Sequence, residues 1–206
     1  MSFLPTQDPE LQALAERLTS SDATVRRMAV LALADAADES FTQPLVEALR
    51  DPEPTVRAAA AQALETVETE AAVQALVQAL ADTDATVRDA AAHSLAELKD
   101  PACAEWLLPH AHMGSAPVRA ALLRALRELR APGSAAPALA ALEDADAALR
   151  REAIGVLGYL RHADALPALA RLATSDPQDE VRRAASGALA FATQSPLATQ
   201  ALHEAA

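Results

Sequence analysis

Aromatic residues make up only 2% of this 206-residue sequence, three Phe, one Tyr and one Trp, and there are only five glycines and one cysteine. A core without aromatics has to be filled by Ala, Leu and Val, and so much alanine with so few β-branched residues favours helices over sheets. The single cysteine, Cys103, can form neither an internal disulfide nor a paired-cysteine zinc site, which suits a reducing compartment. No apolar run approaches the roughly 18 residues of a membrane span. The opening residues Met1 to Glu10 have neither a basic segment nor an apolar run of signal-peptide length. A soluble, cytoplasmic protein without membrane contact is expected. Intrinsic disorder is excluded in turn, because apolar residues make up 51% of the sequence and run through all of it.

Positive charge is also scarce. The chain carries 29 acids and 17 bases, net −12, a balance that repels nucleic acid and anionic membranes at long range. The imbalance is confined to one half: residues 1–103 hold 18 acids and 7 bases, whereas residues 104–206 hold 11 and 10. The two halves therefore present different fields to any partner.

What the chain does have is a period. An aliphatic residue followed by Arg recurs as Val25-Arg26, Val56-Arg57, Val87-Arg88, Val118-Arg119, Leu149-Arg150 and Val181-Arg182, at spacings of 31, 31, 31, 31 and 32 residues. Counting the aliphatic residue as position 0, Ala29, Ala60, Ala91, Leu122, Ala153 and Ala185 stand at +4. Leu33, Leu64, Leu95, Leu126, Leu157 and Leu189 stand at +8, and Leu14, Leu45, Leu76, Leu107 and Ala138 at −11. Positions 0, 4, 8 and 11 share one helical face, and the upstream segments carry their own helical spacing, so each repeat is a helical hairpin. Turn residues separate the two helices, and Asp22, Asp84 and Asp146 at −3 suit N-caps that accept the first free amides. A lone hairpin cannot cover its apolar face, so neighbours must stack into a solenoid.

These residues resemble a known family. The Asp-x-x-Val-Arg-x-x-Ala-x-x-x-Leu pattern, as in Asp84 to Leu95, looks like HEAT repeats of the short class found in phycobilisome-lyase subunits and many bacterial adaptors. The resemblance implies an all-α, right-handed α-α superhelix, with the second helices lining the concave side and arginines tying repeats together. We expect a single domain over residues 1–206, with repeats near 8–38, 41–69, 70–99, 101–131, 133–162 and 163–194 and a terminal helix over 195–206. That last helix, opened by Ser195-Pro196, has an apolar face that caps the array or allows self-association. The fourth repeat departs from the pattern, because His110-Ala111-His112-Met113-Gly114-Ser115-Ala116-Pro117 replaces the usual turn aspartates.

Positions +2, +6 and +9 of each second helix point away from the core. In the last three repeats these positions hold Ala120, Arg124 and Arg127, then Arg151, Gly155 and Gly158, then Arg183, Gly187 and Ala190. Three of the five glycines thus fall on one face inside helices, flanked by Arg124, Arg127, Arg151 and Arg183, with Tyr159 and Phe191 at the edge. The expected site is therefore Arg124, Arg127, Arg151, Gly155, Gly158, Tyr159, Arg183 and Gly187. It reads as a basic, glycine-floored groove for an extended acidic segment of another protein or a planar carboxylated ligand. The arginines at +1 (Arg26, Arg57, Arg88, Arg119, Arg150 and Arg182) are excluded as structural, since a guanidinium beside turn aspartates can bridge adjacent repeats bidentately.

Catalysis is not expected. Cys103 reads as a packing residue, no nucleophile motif or phosphate-binding glycine loop is present, and paired carboxylates recur with the turns and so read as caps. His110, His112 and Met113 are of types that bind copper or zinc, but a turn pair of this kind is read as solvated, and no metal or other cofactor is assigned. Trp106 is read as a core residue. The single His203-Glu204 pair does not form the symmetric set of a repeat-based di-iron enzyme. The expected function is a protein-binding scaffold or adaptor without nucleic-acid partners. The alternative, implied by the family resemblance, is a subunit that handles a tetrapyrrole such as a bilin or haem.

Overall fold

A computed structural model describes residues 13–14, 16–35 and 41–193, and these residues form helices and turns without strands. Residues 13, 14, 16 and 17 are helical. Eleven α-helices follow among the described residues: α1 (Ala23–Asp35), α2 (Thr42–Ala48), α3 (Pro54–Ala63), α4 (Glu70–Ala79), α5 (Ala85–Ala96), α6 (Cys103–Leu107), α7 (Ala116–Glu128), α8 (Ala135–Ala141), α9 (Ala147–Leu160), α10 (Leu166–Ser175) and α11 (Asp179–Thr193). Every aliphatic-Arg pair sits in the first turn of the second helix of a hairpin (α1, α3, α5, α7, α9 or α11), and the first helices alternate with them. The sequence period is thus a period of helical hairpins. The expected terminal helix over 195–206 lies outside the described residues, and none of the described helices is long and apolar enough to cross a membrane.

The chain divides into two compact units, Met1–Leu107 and Leu108–Ala206. In the first, second helices α1, α3 and α5 pack side by side, and first helices α2, α4 and α6 form the layer behind them. In the second, α7, α9 and α11 pack in the same way, with α8 against α9 and α10 against α11. The +4 column runs through both cores: Ala29, Ala60, Ala91, Leu122, Ala153 and Ala185 are all at 0% exposure. Alanine at five of these six places keeps neighbouring helices close, and leucines at +8 and −11 fill the space between layers. The core of the second unit gathers Leu123, Ala138, Leu142, Leu149, Ile154, Leu157, Leu169 and Leu172.

Turn chemistry is shared between two aspartate columns. Asp22, Asp84 and Asp146 at −3 act as N-caps, each accepting a backbone amide (Thr24, Thr86 and Leu149) at 2.8–2.9 Å. A second column at −5 receives the arginines. Asp51 takes Nε and Nη2 of Arg26, and Asp82 takes those of Arg57, at 2.7–2.8 Å. In the second unit Asp176 takes both from Arg150 at 2.8 Å, and Asp144 takes Nη2 of Arg119 at 2.7 Å. The same carboxylates accept the amide two residues on, so each rung fixes a turn as well as a neighbouring repeat. The Arg57 guanidinium holds the Asp82 carboxyl below the usual carboxylate range, and Arg150 does the same to Asp176.

The irregular fourth turn has a visible cost. In most repeats, Nη1 of the arginine also donates to carbonyls five and six residues back, as Arg150 does to Ala145 and Asp144. For Arg119 those places are Gly114 and Met113, where the chain passes through φ +82° at Gly114. Arg119 makes one bond to Asp144, and its buried Nε has no hydrogen-bond partner among the described residues. The −5 residue of this repeat is Met113, so each unit has two rungs of the arginine–aspartate ladder, and Arg88 donates to the carbonyls of Asp82 and Thr83 instead.

Candidate functional site

Helices α7, α9 and α11 bring seven of the eight expected residues to one groove. Arg127, Arg151, Gly155, Gly158, Tyr159, Arg183 and Gly187 line a concavity of about 420 Å³, together with Glu152, Ile154, Ala184, Ala188 and Phe191. Arg124 is exposed on α7 and is not among the lining residues. Because the repeat places equivalent positions of successive second helices beside one another, residues 31 or 32 apart converge without any special loop.

The three helical glycines are not equivalent, and the expected bare floor is narrower than the sequence implied. A Cβ on Gly158 would lie 3.0 Å from Cβ of Ala188 and 3.5 Å from its Cα. Gly158 is buried, and its missing side chain lets α9 and α11 approach. At Gly155 the space is taken by Arg127, whose Nη1 would lie 2.7 Å from an added Cβ. Among the described residues, Gly187 alone has nothing within 4 Å of that point. A mid-helix glycine costs about 1 kcal/mol relative to alanine, and at Gly187 no packing contact among the described residues requires it.

The charge of the groove is also more balanced than its arginines suggest. Arg127 donates to Glu152 at 3.1 Å and to Glu128 at 3.0 Å, which fixes it across Gly155. Arg151 lies 3.3 Å from Glu180 and 3.7 Å from Glu152. Arg183 contacts only the backbone carbonyl of Asp179, at 3.3 Å, and has no carboxylate partner among the described residues. Arg124 has no ion pair or hydrogen bond among them either. Of these four arginines, Arg124 and Arg183 are therefore the ones without a carboxylate among the described residues, and column positions alone do not reveal the carboxylates that tie down the other two.

Two large aromatic faces border the concavity. Tyr159 is 47% and Phe191 46% exposed, among the few large apolar side chains left open to water. Arg161 follows α9 in the left-handed region at φ 50° and places its guanidinium 4.6 Å from the centroid of the Phe191 ring. A non-glycine residue in that region is held by its surroundings: His162 and Arg161 return their amides to Leu157 and Gly158, which closes the helix end. Sequence reading missed Arg161 because it lies outside the +2, +6, +9 columns.

Cys103 is fully buried, and burial pushes its thiol up to about 11, with Glu68 and Asp100 adding to the rise. His112 and Met113 are exposed and His110 half-buried. Among the described residues, no three His, Cys, Asp or Glu side chains are grouped to hold a metal ion. Trp106 is half-buried rather than fully in the core. The His203-Glu204 pair lies outside the described residues.

The family model described as HEAT repeats matches residues 11–96, 42–127, 75–143 and 135–206, which together span nearly the whole sequence. The chain belongs to the HEAT-repeat family. No curated protein matches it. Among solved structures, this HEAT-repeat chain is similar to an engineered protein with a TM-score of 0.56 and 22% identity, covering 91% of this chain and 100% of that one. It is similar to a designed armadillo repeat protein in complex with the peptide (KR)4, with a TM-score of 0.53, 21% identity and coverage of 88% and 99%. The complex of CpcE and CpcF of phycocyanin lyase from Nostoc sp. PCC7120 gives a TM-score of 0.43 at 22% identity, with coverage of 98% and 97%. The first two likenesses concern the helical-repeat fold.

Proposed function

We propose that this HEAT-repeat chain is a non-catalytic scaffold or adaptor, a single repeat domain over residues 1–206, that holds an extended acidic segment of another protein against α7, α9 and α11. The observation that carries this reading is the convergence of seven residues, picked from sequence columns, on one groove with two open aromatic faces. Affinity in such a surface comes from area and a few aromatic anchors rather than from a closed pocket. Arg124 and Arg183 supply the charge complementary to an acidic partner. The chain's one thiol, that of Cys103, is buried in the core of the other compact unit.

The test uses Arg124→Glu together with Arg127→Glu, with circular dichroism confirming the fold. Wild-type protein as bait in an extract of its own cell should retain a defined set of proteins that the doubly reversed bait loses. An unchanged set would overturn the reading. The tetrapyrrole alternative is separated by adding a bilin or haem: a shifted absorption spectrum would replace the adaptor reading, and an unshifted one supports it. Self-association through residues 195–206 predicts a sedimentation mass that rises with concentration, and a constant mass would count against it.

A further inference from the structure

Along α11, three features of the groove fall one helical turn apart. Arg183 is a cation without a carboxylate partner among the described residues. Gly187 is backbone with none of the described residues over it, and Phe191 is a half-open aromatic face. Four helical residues advance the axis by about 6 Å. Two residues of an extended chain advance it by about 6.6 Å, and alternate side chains of such a chain point the same way. The two periods match closely enough for an extended segment lying along α11 to meet Arg183, Gly187 and Phe191 with three alternate side chains.

The chemistry of each place then selects the residue opposite it. Arg183 takes a carboxylate. Gly187 lines the same concavity as the small side chains of Ala184 and Ala188 and the exposed ring of Tyr159. A flat aromatic ring covers such a floor with the least entropy lost, and it gains offset or edge contacts with neighbouring rings. Phe191, with one face taken by Arg161, leaves an apolar surface for an aliphatic or aromatic side chain. The sister glycines do not compete for this role, since Ala188 packs against Gly158 and Arg127 covers Gly155.

We propose that Gly187 is an anchor slot, and that the partner segment carries an acidic, an aromatic and an apolar residue at alternate positions, seated on Arg183, Gly187 and Phe191 respectively. This rests on the groove reading above and specifies its ligand. Gly187 would then be kept for binding, at the expense of helix stability.

The test is Gly187→Ala and Gly187→Leu in the full chain, since an added Cβ meets none of the described residues, with circular dichroism checking that each variant keeps its helical fold. The probes are synthetic peptides with glutamate, tryptophan and leucine at alternate positions separated by serine, made in both orders. Wild type should bind one order with a Kd in the range of about 10 μM to 1 mM. Gly187→Ala should weaken it about tenfold while raising the melting temperature, and Gly187→Leu should abolish binding. Arg183→Gln should weaken the glutamate peptide but leave its glutamine counterpart unchanged. If the peptide with serine in place of tryptophan binds equally well, and Gly187→Ala leaves binding unaltered, the slot is refuted while the groove stands. If no peptide binds but the Arg124/Arg127 bait still loses its proteins, the slot again fails alone. If neither assay shows binding, both readings fail.

Discussion

Replacing Asp176 by alanine removes both acceptors of the Arg150 fork and leaves the guanidinium in place, at 7% exposure. Breaking a buried pair from one side costs roughly 3–5 kcal/mol, because a charge is left without its counter-charge. Arg150 keeps its bonds to the carbonyls of Asp144 and Ala145, 2.8 and 2.9 Å away. That places the cost near the lower end of the range, about 3 kcal/mol. For a chain of this size the melting temperature should fall by roughly 10 °C. Asp144→Ala is the internal control. It loses the same kind of turn bond, to the amide of Asp146, but only one bond from an arginine. Its side chain and that of Arg119 are 20% and 25% exposed, so the loss should be about 1 kcal/mol. Urea titrations followed by far-UV circular dichroism should therefore separate the two variants by about 2 kcal/mol. The Arg150→Met/Asp176→Ala double variant should recover part of that loss, since replacing both charges by apolar groups removes the stranded cation. Equal midpoints for Asp176→Ala and Asp144→Ala would refute the claim that the fork, rather than the turn, fixes the neighbouring repeat.

Gly158→Ala forces a Cβ to 3.0 Å from that of Ala188, and the overpacking should outweigh the helix gain for a net loss of about 1 kcal/mol, measured by the same titration. Acid should weaken the fold. Asp82 and Asp176 are held low by their arginines, so their contribution is complete above about pH 4 and disappears as pH falls through their folded values. Asp176→Asn should flatten that decline, and a pH titration of unfolding checks it. Cys103, with its thiol pushed up to about 11 by burial, should resist a disulfide reagent at about pH 8 in the native protein and react fully once unfolded.

The hairpin repeat was legible because one column of small and aliphatic residues must face the core every turn. The position of a chain break between helices follows from the same spacing, and residues such as Ala60 and Ala153 lie where the period puts them. The ladder was legible in kind but not in detail: the sequence shows aspartates at both −3 and −5, and only geometry assigns the first to caps and the second to arginines. The site was partly legible. Periodicity brings residues from three helices to one face, but it says nothing about which side chain lies over which glycine. Arg127 across Gly155 and Ala188 against Gly158 are matters of rotamer and interhelical distance. Tyr159 and Phe191 were visible at the groove edge, whereas Arg161 depends on a left-handed helix end that no residue type in the sequence announces.

The claim on which the functional reading depends is that other molecules meet the face made by α7, α9 and α11. Backbone amide shifts of the labelled protein, recorded with and without the segment identified from the captured proteins, test it directly. The largest changes should fall within residues 124–127, 151–161 and 183–191. Changes gathered instead on α8 and α10, or within residues 13–107, would contradict the account.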